Sequence, residues 1–209
     1  MIEFLKKITI RRYWVLQIIN ANNHYLKTSG WTKSFKLKKS VNGKGEPIPW
    51  FTLPTVDFLN TRLNKETTIL EYGSGNSTLY LCDRCNQVTT IEDNKEWYDY
   101  VKNNLPDNGQ IVNSNMADYP RQIKILNLKP DIVIVDGKIR EECIAQLISH
   151  SHRPSIIILD VSERPDYNIS IERLKSKGYK ALDFWGMAPG LSYKKCTTVF
   201  YQKQNCLDI

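Results

Sequence analysis

Two glycines and four carboxylates are the residues of this chain whose types and spacing point to chemistry. Gly73 and Gly75 flank Ser74 in the run Glu71-Tyr72-Gly73-Ser74-Gly75-Asn76-Ser77-Thr78. Glycines at these places permit a sharp turn and let a ligand come close to the backbone. Ser77 or Thr78 can cap the helix that follows, whose first N–H groups are free. Glu92 stands 19 residues beyond Gly73. An acid at that distance is placed to accept hydrogen bonds from the two hydroxyls of a ribose. A dinucleotide site would want a third glycine at position 78, which is Thr78, and the charge of Glu71 would disfavour a pyrophosphate. Glu71 suits instead a cationic ligand bearing an ammonium and a sulfonium. Asp136 and Asp160 end two further apolar runs, and no histidine falls at such an end.

These residues need a scaffold that brings strand ends together. From Thr67 onward, short apolar runs alternate with helical segments. Strands are expected at 67–72, 87–92, 110–113, 131–136, 155–160, 179–184 and 195–202. Helices are expected at 77–86, 95–104, 121–126, 140–149 and 168–177. "DIVIVD" and "SIIILD" are apolar throughout their centres, as befits parallel strands covered on both faces. The alternation predicts an α/β fold, a doubly wound Rossmann-like sheet of seven mostly parallel strands. Only a loop, 185–194, joins the last two, which permits an antiparallel final pair. In such a sheet the ligand lies at the carboxyl ends of the strands. Trp50, Phe51, the loop 162–167 with Arg164, and the loop 185–190 with Trp185 are candidates to close an acceptor pocket there. Lys138, Arg140 and Arg164 are placed to meet an acidic acceptor.

A chain of 209 residues with 41% hydrophobic and 24% charged residues is neither disordered nor fibrous. The division expected is a basic extension over 1–46 and a ligand-binding domain over 47–209. Residues 1–44 carry ten Lys/Arg and one acid, +9, while the other 165 hold 19 against 21, −2. That asymmetry points to an anionic partner, a membrane surface or a nucleic acid. Residues 4–26 read as an amphipathic helix and 27–46 as a loop or arm. Pro54 is expected in the first turn of a short helix. Five scattered cysteines, an odd number, fit free thiols in a reducing cytoplasm. Cys82 and Cys85 form a CxxC late in a helix, the wrong place for a redox motif. No zinc spacing is present.

The motifs "ILEYGSGNST", "VTTIED", "DIVIVDG" and the terminal "CTTVFY" resemble those of class I S-adenosylmethionine-dependent methyltransferases over about residues 67–202. "YLKTSGWTKSF", "IPWFTLP", "IEDNKEWY", "VDGKIREEC" and "MAPGLSYKKCTTVFY" are similar to small bacterial methyltransferases linked to surface-polysaccharide synthesis. The resemblance implies S-adenosylmethionine as cofactor. Glu71, Gly73, Ser74 and Gly75 would surround its methionine part, Glu92 its ribose, and Asn115 and Met116 its adenine. Asp136 would lie beside the methyl group, and methyl transfer to a hydroxyl makes Asp136 first and Asp160 second the candidates for removing its proton. Metal-dependent O-methyltransferases place Asn after the second acid, where this chain has Val161, so no metal is expected. The acceptor implied is a carbohydrate or lipid-linked glycan, methylated on oxygen by a cytoplasmic enzyme with peripheral contact to an anionic membrane. The alternatives are an RNA or small-molecule methyltransferase and a cofactor-binding module without turnover. No RNA-binding module is visible in the basic segment.

Overall fold

The computed structural model describes Tyr13 and residues 24–209. The amphipathic helix expected over 4–26 falls for the most part outside them. Among the described residues, no helix is long and apolar enough to cross a membrane.

Seven strands form one sheet: β1 (Thr68–Tyr72), β2 (Gln87–Glu92), β3 (Gly109–Asn113), β4 (Ile132–Val135), β5 (Ile156–Asp160), β6 (Lys180–Gly186) and β7 (Lys195–Tyr201). Their order is β3-β2-β1-β4-β5-β7-β6. Strands β1 to β5 are parallel, and β7 runs antiparallel to both β5 and β6. Each expected strand is present, with ends shifted by a residue or two. The sheet alternates cleanly between two cores. Ile69, Ile132, Ile134, Ile156 and Ile158 face one way, and Leu70, Val133, Val135, Ile157 and Leu159 the other. Continuous apolar runs are thus what two covered faces require.

The first core is covered by α3 (Leu53–Asn60), with Pro54 in its first turn, and by α4 (Asn76–Arg84). α5 (Lys95–Lys102) follows β2. On the second core lie α6 (Gln122–Ile125), α7 (Arg140–Ser149) and α8 (Asn168–Ser176). The sheet reverses direction of winding between β1 and β4, which opens a crevice at their carboxyl ends.

Residues 27–46 are not the loop expected. They hold the end of α1 (Tyr25–Thr28) and α2 (Trp31–Leu37), then a tight bend closed by the Val41–Pro47 bridge. The segment packs on the sheet domain. The Trp31 indole donates to Leu191 O at 2.7 Å, and Asn76 Nδ2 donates to Ser40 O at 2.7 Å. Its lysines misled the reading, because they stand on the outer side of helices whose Ser34 and Trp31 point inward.

Candidate active site

The β1 turn is built from close backbone crossings. Gly73 has φ +94°, and a Cβ there would stand 2.9 Å from Gly137 Cα, so only glycine fits. Gly137 is hemmed in likewise by the Tyr119 hydroxyl. Beneath the turn Glu71 is fully buried. Its Oε2 accepts from the Thr78 hydroxyl at 2.6 Å, and Thr78 Oγ1 in turn accepts from Gly75 N at 3.0 Å. The residue that spoils a dinucleotide fingerprint is therefore the one that orients Glu71. Glu71 Oε1 has no hydrogen-bond partner. Burial pushes the Glu71 carboxyl up to about 7, against the pull of the nearby Ser77 and Thr78 hydroxyls.

Glu92 ends β2 beside the turn. Oε2 accepts from Ser74 N at 3.0 Å and Ser74 Oγ at 2.6 Å; Oε1 accepts from Asp93 N at 3.1 Å and Asn94 N at 2.9 Å. On α5, the Trp97 ring lies over Gly75 and its indole donates to Ser74 O. Asn115 and Met116 follow β3 at the outer rim. Both are exposed, and Asn115 folds back to hydrogen-bond Asp118.

Asp136 and Asp160, at the ends of neighbouring β4 and β5, both line one cavity. Arg140 reaches back from α7 to Asp136 Oδ1 at 2.9 Å and also donates to the carbonyls of Asp136, Gly137 and Asp160. Asp160 is buried, pairs with Lys195 Nζ and accepts from Thr197 Oγ1 at 2.6 Å. Burial, then the charge of Asp160, raises the Asp136 carboxyl to about 7, while Arg140 and Lys195 pull it down. Lys195 is 3% exposed and also donates to Trp50 O at 2.8 Å. It was missed in the sequence, where a lysine opening a strand reads as a solvated end.

The cavity has a volume of about 400 Å³. It is lined by Ser74 to Ser77, Asp136 and Asp160, by Trp97, Tyr100, Trp50, Ile48, Leu191 and the buried Ser40, with the exposed Lys38 and Lys39 at its mouth. Trp50, 43% exposed, anchors its indole on Pro189 O at 2.7 Å. Three expectations need correction. Phe51 is fully buried in the first core, since its neighbour Trp50 takes the outward position. Trp185 belongs to β6, not to a loop, and the sheet alternation points it into a separate groove beside α8. Arg164 is exposed and outside the cavity. Of the other cations expected there, Lys138 pairs with Asp93 and Arg140 is turned inward.

No family model matches the sequence, and no curated protein does. Solved structures match the fold. Precorrin-6y C5,15-methyltransferase from Geobacter metallireducens GS-15 is 16% identical with a TM-score of 0.58, over 72% of this chain and 88% of that one. The C-terminal domain of precorrin-6Y C5,15-methyltransferase from Rhodobacter capsulatus is 13% identical, TM-score 0.56, over 81% and 96%. Precorrin 8W decarboxylase from Methanobacterium thermoautotrophicum is 15% identical, TM-score 0.54, over 80% and 97%. The architecture is that of the Rossmann-like methyltransferase fold. At these identities the likeness is one of fold, and the reaction has to be argued from the site.

Proposed function

We propose that this protein transfers a methyl group from S-adenosylmethionine to a hydroxyl of a carbohydrate acceptor. The observation that carries the reading is the unpartnered Oε1 of Glu71, buried beneath the Gly73 turn with Glu92 at the next strand end. A buried carboxylate oxygen without a partner is costly, and a cationic group at the turn would relieve it. The turn that follows, Ser74 to Ser77, lines the cavity, so its backbone is open to a ligand there. Glu71 and the backbone of Ser74 and Gly75 would hold the cofactor's methionine part, Glu92 the ribose, and Asn115 with Met116 the adenine. When bound, the cofactor supplies an electrophilic methyl on a sulfonium.

The remaining work falls to the chain. Asp136 takes the proton of the acceptor hydroxyl, with a proton affinity near the working pH as general bases require. Arg140 fixes the orientation of its carboxylate. Asp160, held by Lys195 and Thr197, is a positioning residue whose charge keeps Asp136 basic. Trp50 and Leu191 shield the reacting centre from water. Trp50, Trp97 and Tyr100 bring aromatic rings to the cavity, and Asn76 and Ser77 bring polar groups, a combination suited to a sugar ring.

We assign the reaction to the cytoplasmic face of an anionic membrane, the surface that the +9 charge of residues 1–44 favours. If the full chain sediments equally with neutral and anionic vesicles at low salt, or with neither, that location is wrong. The reaction is tested by calorimetry and by Asp136→Asn. S-adenosylmethionine should bind and NAD should not. Asp136→Asn should keep cofactor affinity while methyl transfer falls about 10²–10⁴-fold. Tight NAD binding without S-adenosylmethionine binding overturns the reading.

A further inference from the structure

We propose that the acceptor carries a phosphate group, held at the cavity mouth by Lys38 and Lys39. This rests on the methyltransferase reading for the identity of the reacting end, but not for the anion site itself. The charges at the cavity floor are already matched. Asp136 pairs with Arg140, and Asp160 with Lys195. At the rim Lys138 pairs with Asp93. Lys38 and Lys39 line the same cavity, and among the described residues neither ammonium makes an ion pair with a carboxylate. What they touch is aromatic. Lys38 Nζ lies 4.3 Å from the centroid of Phe35, and Lys39 Nζ lies 5.2 Å from that of Tyr100 and 3.4 Å from its hydroxyl. Ring faces restrain an ammonium without neutralising it. Two exposed lysines that line the cavity thus have no carboxylate partner among the described residues.

The backbone supports the same assignment. Lys38 ends α2 at φ 54° and ψ 31°, a left-handed cap where glycine or asparagine is favoured. A lysine kept at that position strains the chain, and such strain gathers at ligand clamps. The adjoining Ser40 carbonyl is tied to Asn76, so the lysine pair is fixed relative to the first turn of α4. That turn adds partial positive charge on the same side. The cavity is therefore polarised, with a base for a hydroxyl at its floor and uncompensated cations at its mouth. A phosphate, with up to two charges, matches two adjacent ammoniums better than a carboxylate does. The phosphate could belong to a soluble sugar phosphate or to a lipid headgroup.

The test uses the full chain, with and without S-adenosylhomocysteine. Tryptophan fluorescence follows titration by inorganic phosphate, glucose 1-phosphate and glucose, because Trp50 and Trp97 border the cavity. Glucose 1-phosphate should bind at least tenfold more tightly than glucose. The double variant Lys38→Gly, Lys39→Gln should lose that preference. Lys38→Gly alone should weaken phosphate binding while leaving the melting temperature equal or higher, an outcome that a purely structural lysine would not give. Vesicles with and without phosphatidic acid separate the two sources: binding to phosphatidic acid alone, dependent on both lysines, puts the phosphate on a lipid. Failure of every phosphate probe to bind overturns the proposal. So does a double variant that loses S-adenosylhomocysteine but keeps methylthioadenosine, since the lysines would then serve the cofactor's carboxylate. Lysine-dependent phosphate binding without any S-adenosylhomocysteine binding would keep the anion site and sink the methyltransferase reading.

Discussion

Glu92 has no spare lone pair in this structure: each carboxylate oxygen accepts two hydrogen bonds, and Ser74 supplies two of the four. A ribose hydroxyl can enter only where the Ser74 hydroxyl now sits. Ser74→Ala should therefore leave S-adenosylmethionine affinity equal or higher, while Glu92→Ala should weaken it by about 1.5–3 kcal/mol, both by calorimetry. Glu71 makes a second prediction. Burial holds its carboxyl near 7 in the free protein, and a bound cation favours the ionised form. Binding then releases a proton below pH 7, so affinity should fall as pH drops from about 7.5 to 5.5, approaching tenfold per unit. A pH-independent affinity would remove Glu71 from the cationic site. These two acids were legible in the sequence because glycine spacing and strand ends announce them. Ser74 as occupant of Glu92, and Thr78 as orienter of Glu71, were not, because side-chain hydrogen bonds across a turn leave no periodicity.

The cover of the site, residues 24–52 with 186–194, is fastened by few bonds. Two indoles donate to Pro189 O and Leu191 O, Lys195 holds Trp50 O, and Thr52 Oγ1 donates to Phe184 O at 3.0 Å. Lys195→Met should be severe, because it strands Asp160 in a buried site. A loss of about 3–5 kcal/mol is expected in chemical denaturation. Asp136 should also titrate higher, since a charge that lowers its proton affinity is gone. Carbon-13 NMR of labelled aspartate, assigned with Asp136→Asn, would show it, and an unmoved titration would uncouple the two residues. At this scale the central elements were readable and the cover was not. The apolar runs of β4 and β5 identify strands without any tertiary knowledge. By contrast, α2 hides seven residues of helix in a lysine-rich stretch, and its docking depends on Trp31 meeting Leu191, 160 positions away.

For the molecule as a whole, two carboxyls with raised proton affinity, Glu71 fully buried and Asp136 partly so, give a signed stability curve. Folded Glu71 and Asp136 hold protons up to about pH 7, whereas unfolded carboxyls release them near 4. Between those values the folded chain binds more protons, so stability falls as pH rises. Without ligand, the melting temperature should be lower at pH 8 than at pH 5.5, and Glu71→Gln should flatten the trend. The thiols belong to the same scale. Cys82 and Cys85 are buried, and burial raises them to about 11 and 12, so alkylation of the folded protein should be slow at pH 8. The reversed direction of β7 has a wider result. In a purely parallel sheet only the finishing ends of strands reach the crevice. Because β7 runs backwards beside β5, its opening residues Lys195 and Thr197 arrive there as well. The stretch just before them, residues 186–194, can change length or composition without disturbing the Gly73 turn and Glu92, which rest on β1 and β2. In the proposed reaction, acceptor choice then rests on residues 24–52 and 186–194, two separate stretches laid over a turn that need not change with them.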